Sequence, residues 1–297
     1  MAVAQPIKNA LTVDVEDYFQ VSAFASTINQ YDWDTYESRV EQNTYRLLDI
    51  FDERGCKGTF FVLGWVAERY PRLVQEISTR GHEIGCHGYC HELVYNQNPE
   101  VFREDTLRAK NILEDIMQTP VQGYRAASYS ITERSTWALD SLVELGFVYD
   151  SSIFPIHHDR YGMPGSSRHP YRVQTPDGHS IAEFPMSTVE LFKWRFPVSG
   201  GGYFRLFPYA LSRRALKSIN NKEGRPFIFY LHPWEIDPHQ PRIGSGWLSR
   251  FRHYNNLHRC EERLTRLLCD FEFTTVKDIL TDLNFLERRK STKTHGD

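Results

Sequence analysis

The strongest constraint on this 297-residue chain is a regular alternation of short apolar runs with longer amphipathic ones. Residues 9–15, 59–63, 82–85, 121–124, 147–149, 227–231 and 273–276 have the composition of strands. Residues 43–54 carry Leu47, Leu48 and Phe51 at helical spacing before Gly55. Residues 100–117 set Phe102, Ala109, Ile112, Leu113 and Ile116 on one helix face. Further helices are expected over 65–80, which contains Pro71, and over 135–145, 209–220, 257–268 and 278–286. A helix between two strands returns the chain to the same end of the sheet, so the strands pair in parallel. The expectation is a single α/β domain, either an open sheet or a barrel.

The alternation breaks between about 155 and 208, where Pro, Gly, Tyr and His dominate. Short strands are expected there at 171–173 and 181–184, and the unusual Gly200-Gly201-Gly202-Tyr203-Phe204 follows. A loop-rich excursion of that size is more often functional than idle. The expected organisation is one domain over 1–286 with this insertion, then a basic disordered tail over 287–297.

Residues loaded with chemistry tend to follow the strands: Asp14, His87, Arg125, Asp150 and His232. In a barrel such positions converge on the C-terminal face, where active sites form. That convergence favours the barrel. Within Gly81-His82-Glu83-Ile84-Gly85-Cys86-His87-Gly88-Tyr89-Cys90-His91, two imidazoles lie four residues apart. At that spacing they can face one side of a helical turn and meet one metal ion. The third ligand is sought in Thr12-Val13-Asp14-Val15-Glu16-Asp17, which ends the first strand. Asp14 and Glu16 lie two apart, so both can face the same side, one to ligate and the other to take a proton from water. Asp17 is the alternative ligand. Taken singly, each of these residues has an ordinary structural reading; their recurrence at successive strand ends is what argues for a site.

Bulk composition narrows the partners. A formal net charge of −3 gives no reason to expect nucleic acid or an anionic membrane as the main partner. No stretch approaches the roughly 20 apolar residues of a membrane span. Residues 1–8 lack the apolar run of a signal peptide, so the expected location is cytoplasmic, with the inner face of the membrane as an option. The cysteines at 56, 86, 90, 260 and 269 are odd in number and scattered, which suits reduced thiols better than a disulfide framework. Cys86 and Cys90 have three residues between them, so they do not form a haem-attachment motif.

Over roughly residues 10 to 280, the ordered set of strand-end motifs resembles the polysaccharide deacetylases of carbohydrate esterase family four, which share the nodulation-protein-B homology domain. The first family motif, Thr-Phe-Asp-Asp, corresponds to Thr12-Val13-Asp14-Val15-Glu16-Asp17. The His-Ser/Thr-x-x-His motif is matched at His87 and His91, with Gly88 in place of the hydroxyl residue. Arg-x-Pro-Tyr corresponds to Arg125-Ala126-Ala127-Ser128, which keeps only the arginine. Asp150, followed by the aromatic Phe154, matches the fourth motif, and Leu231-His232 the fifth. The Val-Asp-Val-Glu-Asp-Tyr-Phe start and Gly-Gly-Gly-Tyr-Phe-Arg segment resemble the branch associated with exosortase and PEP-CTERM exopolysaccharide loci of Gram-negative bacteria.

The resemblance implies a distorted, seven-stranded (β/α) barrel and a divalent metal, zinc foremost with cobalt or nickel as alternatives. It implies metal ligation by Glu16, His87 and His91, with Glu16 standing in because Val15 occupies the usual acid position. Asp14 would be the base, oriented by Arg125, and His232 the general acid, oriented by Asp150. The Ser128 N–H would stabilise the oxyanion, and Tyr129 beside it would contact substrate. The implied activity is removal of N-acetyl groups from amino sugars of a bacterial exopolysaccharide or its precursor, in association with the synthesis machinery. The alternatives are a deformylase or other amidohydrolase on a different C–N bond, and a non-catalytic sugar-binding protein.

Overall fold

The computed structural model describes residues 6–158 and 160–287. The expected tail, apart from Glu287, and the first five residues of the stretch read for a signal peptide lie outside the described residues. The strands are β1 (Lys8–Val15), β2 (Thr59–Val62), β3 (Glu83–Cys86), β4 (Gly123–Tyr124), β5 (Tyr149–Asp150), β6 (Tyr171–Gln174), β7 (Ser180–Glu183), β8 (Thr188–Leu191), β9 (Trp194–Pro197), β10 (Ile228–Leu231) and β11 (Glu272–Thr274). The helices are α1 (Val40–Glu53), α2 (Gly64–Arg69), α3 (Pro71–Thr79), α4 (Pro99–Met117), α5 (Trp137–Glu144), α6 (Gly201–Leu206), α7 (Tyr209–Glu223), α8 (Trp247–Tyr254), α9 (Cys260–Asp270) and α10 (Val276–Asp282).

The sheet runs β10-β1-β2-β3-β4-β5-β7-β6. All pairings from β10 to β7 are parallel, while β6 pairs antiparallel with β7 at the edge. The seven parallel strands of that path form the distorted barrel that the family resemblance implied, with the parallel pairing expected from the alternation. β11 adds to the start of β1, in register from Lys8 opposite Glu272 to Ala10 opposite Thr274.

Two apolar layers hold this sheet. One lies between sheet and helices, where Leu11, Val13, Leu47, Phe51, Phe60, Leu73, Leu113 and Leu264 are buried. The other fills the barrel, where Ala10, Phe61, Tyr149, Ala182 and Ile228 meet Phe154, Phe184 and Met186. β1 is buried on both faces from Asn9 onward, which is why it reads as a continuous rather than alternating run. Each fully buried Phe or Leu contributes about 1.5–3 kcal/mol of transfer free energy.

Local chemistry sets the breaks. The helix expected over 65–80 divides at Tyr70 because Pro71 opens α3, where its missing N–H costs nothing. Asn98 caps α4 by accepting from Val101 N–H, with Pro99 in the first turn. The segment expected to be loop-rich contains β6 to β9 and α6. Its glycines have a steric reason. Gly200 (φ 128°) bridges to Tyr230 on β10, and a Cβ there would collide with the Tyr230 carbonyl oxygen. Among the described residues, no helix is long and apolar enough to cross a membrane.

Candidate active site

β1 and β3 deliver the first groups, being joined side by side through β2. Glu16 lies one residue beyond β1, and His87 one residue beyond β3. One ligand atom from each of Glu16, His87 and His91 can be chosen so that all lie within 4.8 Å of one another, and all three residues are buried. Glu16 Oε2 is 2.7 Å from His91 Nε2 and is a buried oxygen with no hydrogen-bond donor. His87 Nδ1 lies 2.8 Å from the Arg125 carbonyl oxygen, which fixes the proton on Nδ1 and leaves Nε2 as the free lone pair. A buried carboxylate beside two imidazole rings is a donor set that fits a divalent cation.

The two histidines do not share a helical turn, as their spacing suggests they could. Residues 87–93 form a loop in which Gly88 (φ 73°) and His91 (φ 52°) take left-handed backbone. Asp105 of α4 accepts from Tyr89 N–H at 2.7 Å and Cys90 N–H at 3.1 Å. A Cβ at residue 88 would meet Asp105 Oδ2 at 3.1 Å, so φ and space together favour glycine there. All five cysteines are free thiols, and burial pushes the Cys86 thiol up to about 12.

Asp17, the alternative ligand, is committed elsewhere. Its Oδ2 accepts from Ser38 Oγ, Arg39 N–H and Val40 N–H at 2.8, 2.7 and 3.0 Å, and its Oδ1 from Tyr18 N–H at 2.9 Å. It thus caps the start of α1, where the N-cap residue Arg39 supplies no side-chain acceptor.

Arg125 follows β4 and is fully buried. Its Nη1 donates to Asp14 Oδ1 at 2.6 Å and Thr12 Oγ1 at 2.8 Å, its Nε to the Ser151 carbonyl and its Nη2 to Ser151 Oγ. The other Asp14 oxygen, Oδ2, is 3.5 Å from Tyr129 Oη and 3.9 Å from His232 Nε2. Ser128 (φ 51°) and Tyr129 (φ 56°) are consecutive left-handed residues, and both line the cavity that holds Asp14 and the metal trio. Backbone strain of this kind is held in place only by the surrounding packing. Here Tyr129 packs edge-on against Phe154 and Tyr230, and Ser128 Oγ is 2.7 Å from Ser22 Oγ.

His232 follows β10 and completes the cavity, with Nε2 3.6 Å from Glu16 Oε1. Its partner corrects the expectation for Asp150. Asp150 Oδ1 accepts from Ser152 Oγ at 2.6 Å and Oδ2 from Ser152 N–H at 3.2 Å. Burial raises Asp150, and burial together with Asp150 raises neighbouring Glu183 well above the usual carboxylate range. The acid at the end of β5 is therefore part of a buried carboxyl pair on that side of the sheet. His232 Nδ1 instead meets Glu235 Oε1 at 2.8 Å, and the His232 N–H donates to the same oxygen at 3.1 Å. Arg205 of α6 donates from Nε to the other oxygen of Glu235 at 2.5 Å.

This second arrangement is electrostatically coupled. Burial would raise Glu235, but Arg205 and His232 outweigh it and hold its carboxyl at about 2. Burial would lower His232, but Glu16, Glu235 and Asp14 raise it to about 9. For Glu16, burial likewise acts upward, while His91, His232 and His87 prevail and hold it well below the usual range. For His87 burial prevails, and the imidazole falls to about 4, the neutral form a metal ligand requires. Trp234 stacks on His232 with centroids 4.9 Å apart and donates from Nε1 to Glu16 Oε1 at 3.2 Å. One indole thus braces both halves of the site.

The structure therefore brings Asp14, Glu16, His87, His91, Ser128, Tyr129 and His232 around one cavity, sets the fully buried Arg125 behind Asp14, and leaves Asp150 outside the wall. Glu235 had a sequence signal: it stands three residues after His232 with Pro233 between, the spacing of a capping box. Arg205 had none, being thirty residues away on a separate helix.

Residues 29–148 match the family model described as "Polysaccharide deacetylase", and residues 151–281 match "Domain of unknown function (DUF3473)". The junction between the matches falls at β5, through which the sheet is continuous. A peptidoglycan-N-acetylglucosamine deacetylase of Bacillus cereus is 36% identical over 70 residues, 24% of this chain and 26% of that protein. A peptidoglycan deacetylase of Helicobacter pylori is 27% identical over 156 residues, 52% of this chain and 48% of that protein. These matches thus span between about a quarter and a half of the relatives' length. In fold, the chain is similar to a crystal structure assigned as a polysaccharide deacetylase from Mycobacterium smegmatis, with TM-score 0.61, 21% identity, and 96% and 95% of the two chains covered. It is similar in the same way to PuuE allantoinase, with TM-score 0.60, 15% identity, and 94% and 92% covered.

Proposed function

We propose, on the premise that residues 29–148 of this chain belong to the polysaccharide deacetylase family, that the protein is a metal-dependent hydrolase removing N-acetyl groups from amino sugars of a bacterial exopolysaccharide or its precursor. The observation that carries the reading is the buried Glu16, His87 and His91 trio with His232 Nε2 3.6 Å from Glu16 and 3.9 Å from Asp14 in the same cavity. The resemblance of the Val13–Phe19 and Gly200–Arg205 segments to the exosortase-associated branch supports the polymer assignment.

Glu16, His87 and His91 would hold a divalent cation, zinc by preference of two imidazoles and one carboxylate, which would supply Lewis-acid polarisation of the acetyl carbonyl and a lowered pKa of water. Asp14 would take the proton of the attacking water through Oδ2, because Arg125 already occupies Oδ1 at 2.6 Å. The left-handed turn at Ser128 offers a backbone N–H to the developing oxyanion. His232 donates from Nε2 to the leaving amine, held in orientation by Glu235 on Nδ1.

Acetate release from N-acetylglucosamine oligomers, with and without added zinc, tests the reading. Asp14→Asn is expected to lower kcat by about 10²–10⁴-fold while zinc content stays at one ion per chain. Full activity in that variant would remove Asp14 as the base. Release of formate, or ring opening of a cyclic amide, in place of acetate would replace the substrate class and keep the site.

A further inference from the structure

The catalytic cavity, about 200 Å³, adjoins a second hollow of about 420 Å³ that shares Val21, Ser128, Tyr161 and Gly202 as walls. The second hollow has a different chemistry. Its remaining walls include Tyr203 and Leu206 of α6 with Leu248 and Phe251 of α8. Its size falls in the range of small-molecule sites, about 300–1,000 Å³. Arg205 ties its two helices together, donating from Nη1 to the His253 and Asn255 carbonyls and from Nη2 to that of Arg252. The buried arginine that braces Glu235 therefore also shapes this groove.

The apolar side chains are open to water: Leu206 is 44% exposed, Leu248 43% and Phe251 50%, and Trp247 at 79% extends the same helix. Clustered exposure of that kind marks a binding surface. Charge adds a second requirement. Arg252 belongs to the walls of both cavities, at their junction, and Arg160, donating to the Ser22 carbonyl at 3.3 Å, lines the outer one. A ligand filling both spaces is polar at the metal trio, anionic at the junction and apolar beyond it. A free polysaccharide would leave Leu206, Leu248 and Phe251 against hydroxyls and water, whereas a hydrocarbon chain removes their surface from water.

We propose that the outer groove holds the hydrocarbon chain of the substrate, and that this substrate is an amino sugar joined through phosphate to a lipid. The inference rests on the deacetylase reading for its sugar end alone.

Decyl phosphate, kept below its micelle concentration and titrated calorimetrically into the zinc-loaded full chain, probes the lipid end without catalysis. One-site binding is expected, about tenfold tighter than that of inorganic phosphate or decanol, and about tenfold weaker in Leu248→Asp and in Phe251→Asp. Both positions are surface-exposed, so the unfolding temperature should stay at the unsubstituted level. Binding no tighter than that of inorganic phosphate, or unchanged in both variants, overturns the proposal. Association with phosphatidylglycerol vesicles without monomer binding also overturns it and assigns the face to a membrane surface. Absence of acetate release by a chain that still binds decyl phosphate would remove the deacetylase reading and leave the lipid groove standing.

Discussion

On the side of the candidate metal trio, Glu16 and His87 follow two strands joined through β2, His91 sits in the short loop after β3, and two of the three residues lie within five positions of sequence. On the acid side, His232 depends on Glu235, then on Arg205 of α6, then on carbonyls at the end of α8. The side of the trio rests on backbone that the parallel sheet positions for Glu16 and His87, and on a short loop that Asp105 of α4 holds for His91. The acid side rests on one buried guanidinium that links separate segments. Such a link is only as strong as its least replaceable member, and that member is Arg205.

The largest expected effect tests that dependence. Arg205→Met leaves Glu235 buried without its cation and frees the end of α8. Breaking a buried pair in this way is expected to cost about 3–5 kcal/mol, read from the denaturant midpoint, with zinc affinity of the folded fraction little changed. A loss below about 1 kcal/mol, the range of surface pairs, would show that the two sides are built alike.

Glu235→Gln probes the same side with a smaller change. It keeps the shape and removes an anion 2.8 Å from His232 Nδ1. His232 must be protonated to donate, so activity is present below its pKa and is lost as pH rises through it. Removing Glu235 lowers that pKa, which moves the basic limb of the kcat profile to lower pH. The accompanying loss in kcat is expected to be about 10–100-fold. A cation on Glu16 withdraws part of the support that raises His232 to about 9, so the loaded protein's limb lies below that value. Asp150→Asn should leave the limb in place; a shift there equal to that of Glu235→Gln would return Asp150 to the histidine.

The smallest effect separates two adjacent acids on the metal side. Asp17→Ala removes the acceptor for Arg39 and Val40 N–H at the start of α1, costing about 1–2 kcal/mol in stability with zinc stoichiometry unchanged. Loss of zinc in that variant, and retention in Glu16→Ala, would reverse the assignment.

Alternation of apolar runs made the parallel sheet legible, because a helix between strands leaves little choice but parallel pairing, while the convergence of loaded residues at strand ends and the family resemblance favoured the barrel over an open sheet. The strands at β8 and β9 and the short helix α6 escaped, since residues 188–206 carry neither period over enough length to register. The two histidines were legible from their spacing after a strand that the pattern located, whereas the choice of Glu16 leaned on the family resemblance and on the two-residue period of β1. The chain's own residues fixed which groups stand at the strand ends: Asp14, His87, Arg125, Asp150 and His232. Which of them touch was decided only by the tertiary structure. Asp150 and His232 end different strands, and the twist and side-chain packing of the barrel turn one toward Ser152 and Glu183 and the other toward Glu235. Strand order places a residue at the rim of the barrel, but a hydrogen bond is settled within a few tenths of an ångström, and that precision belongs to packing.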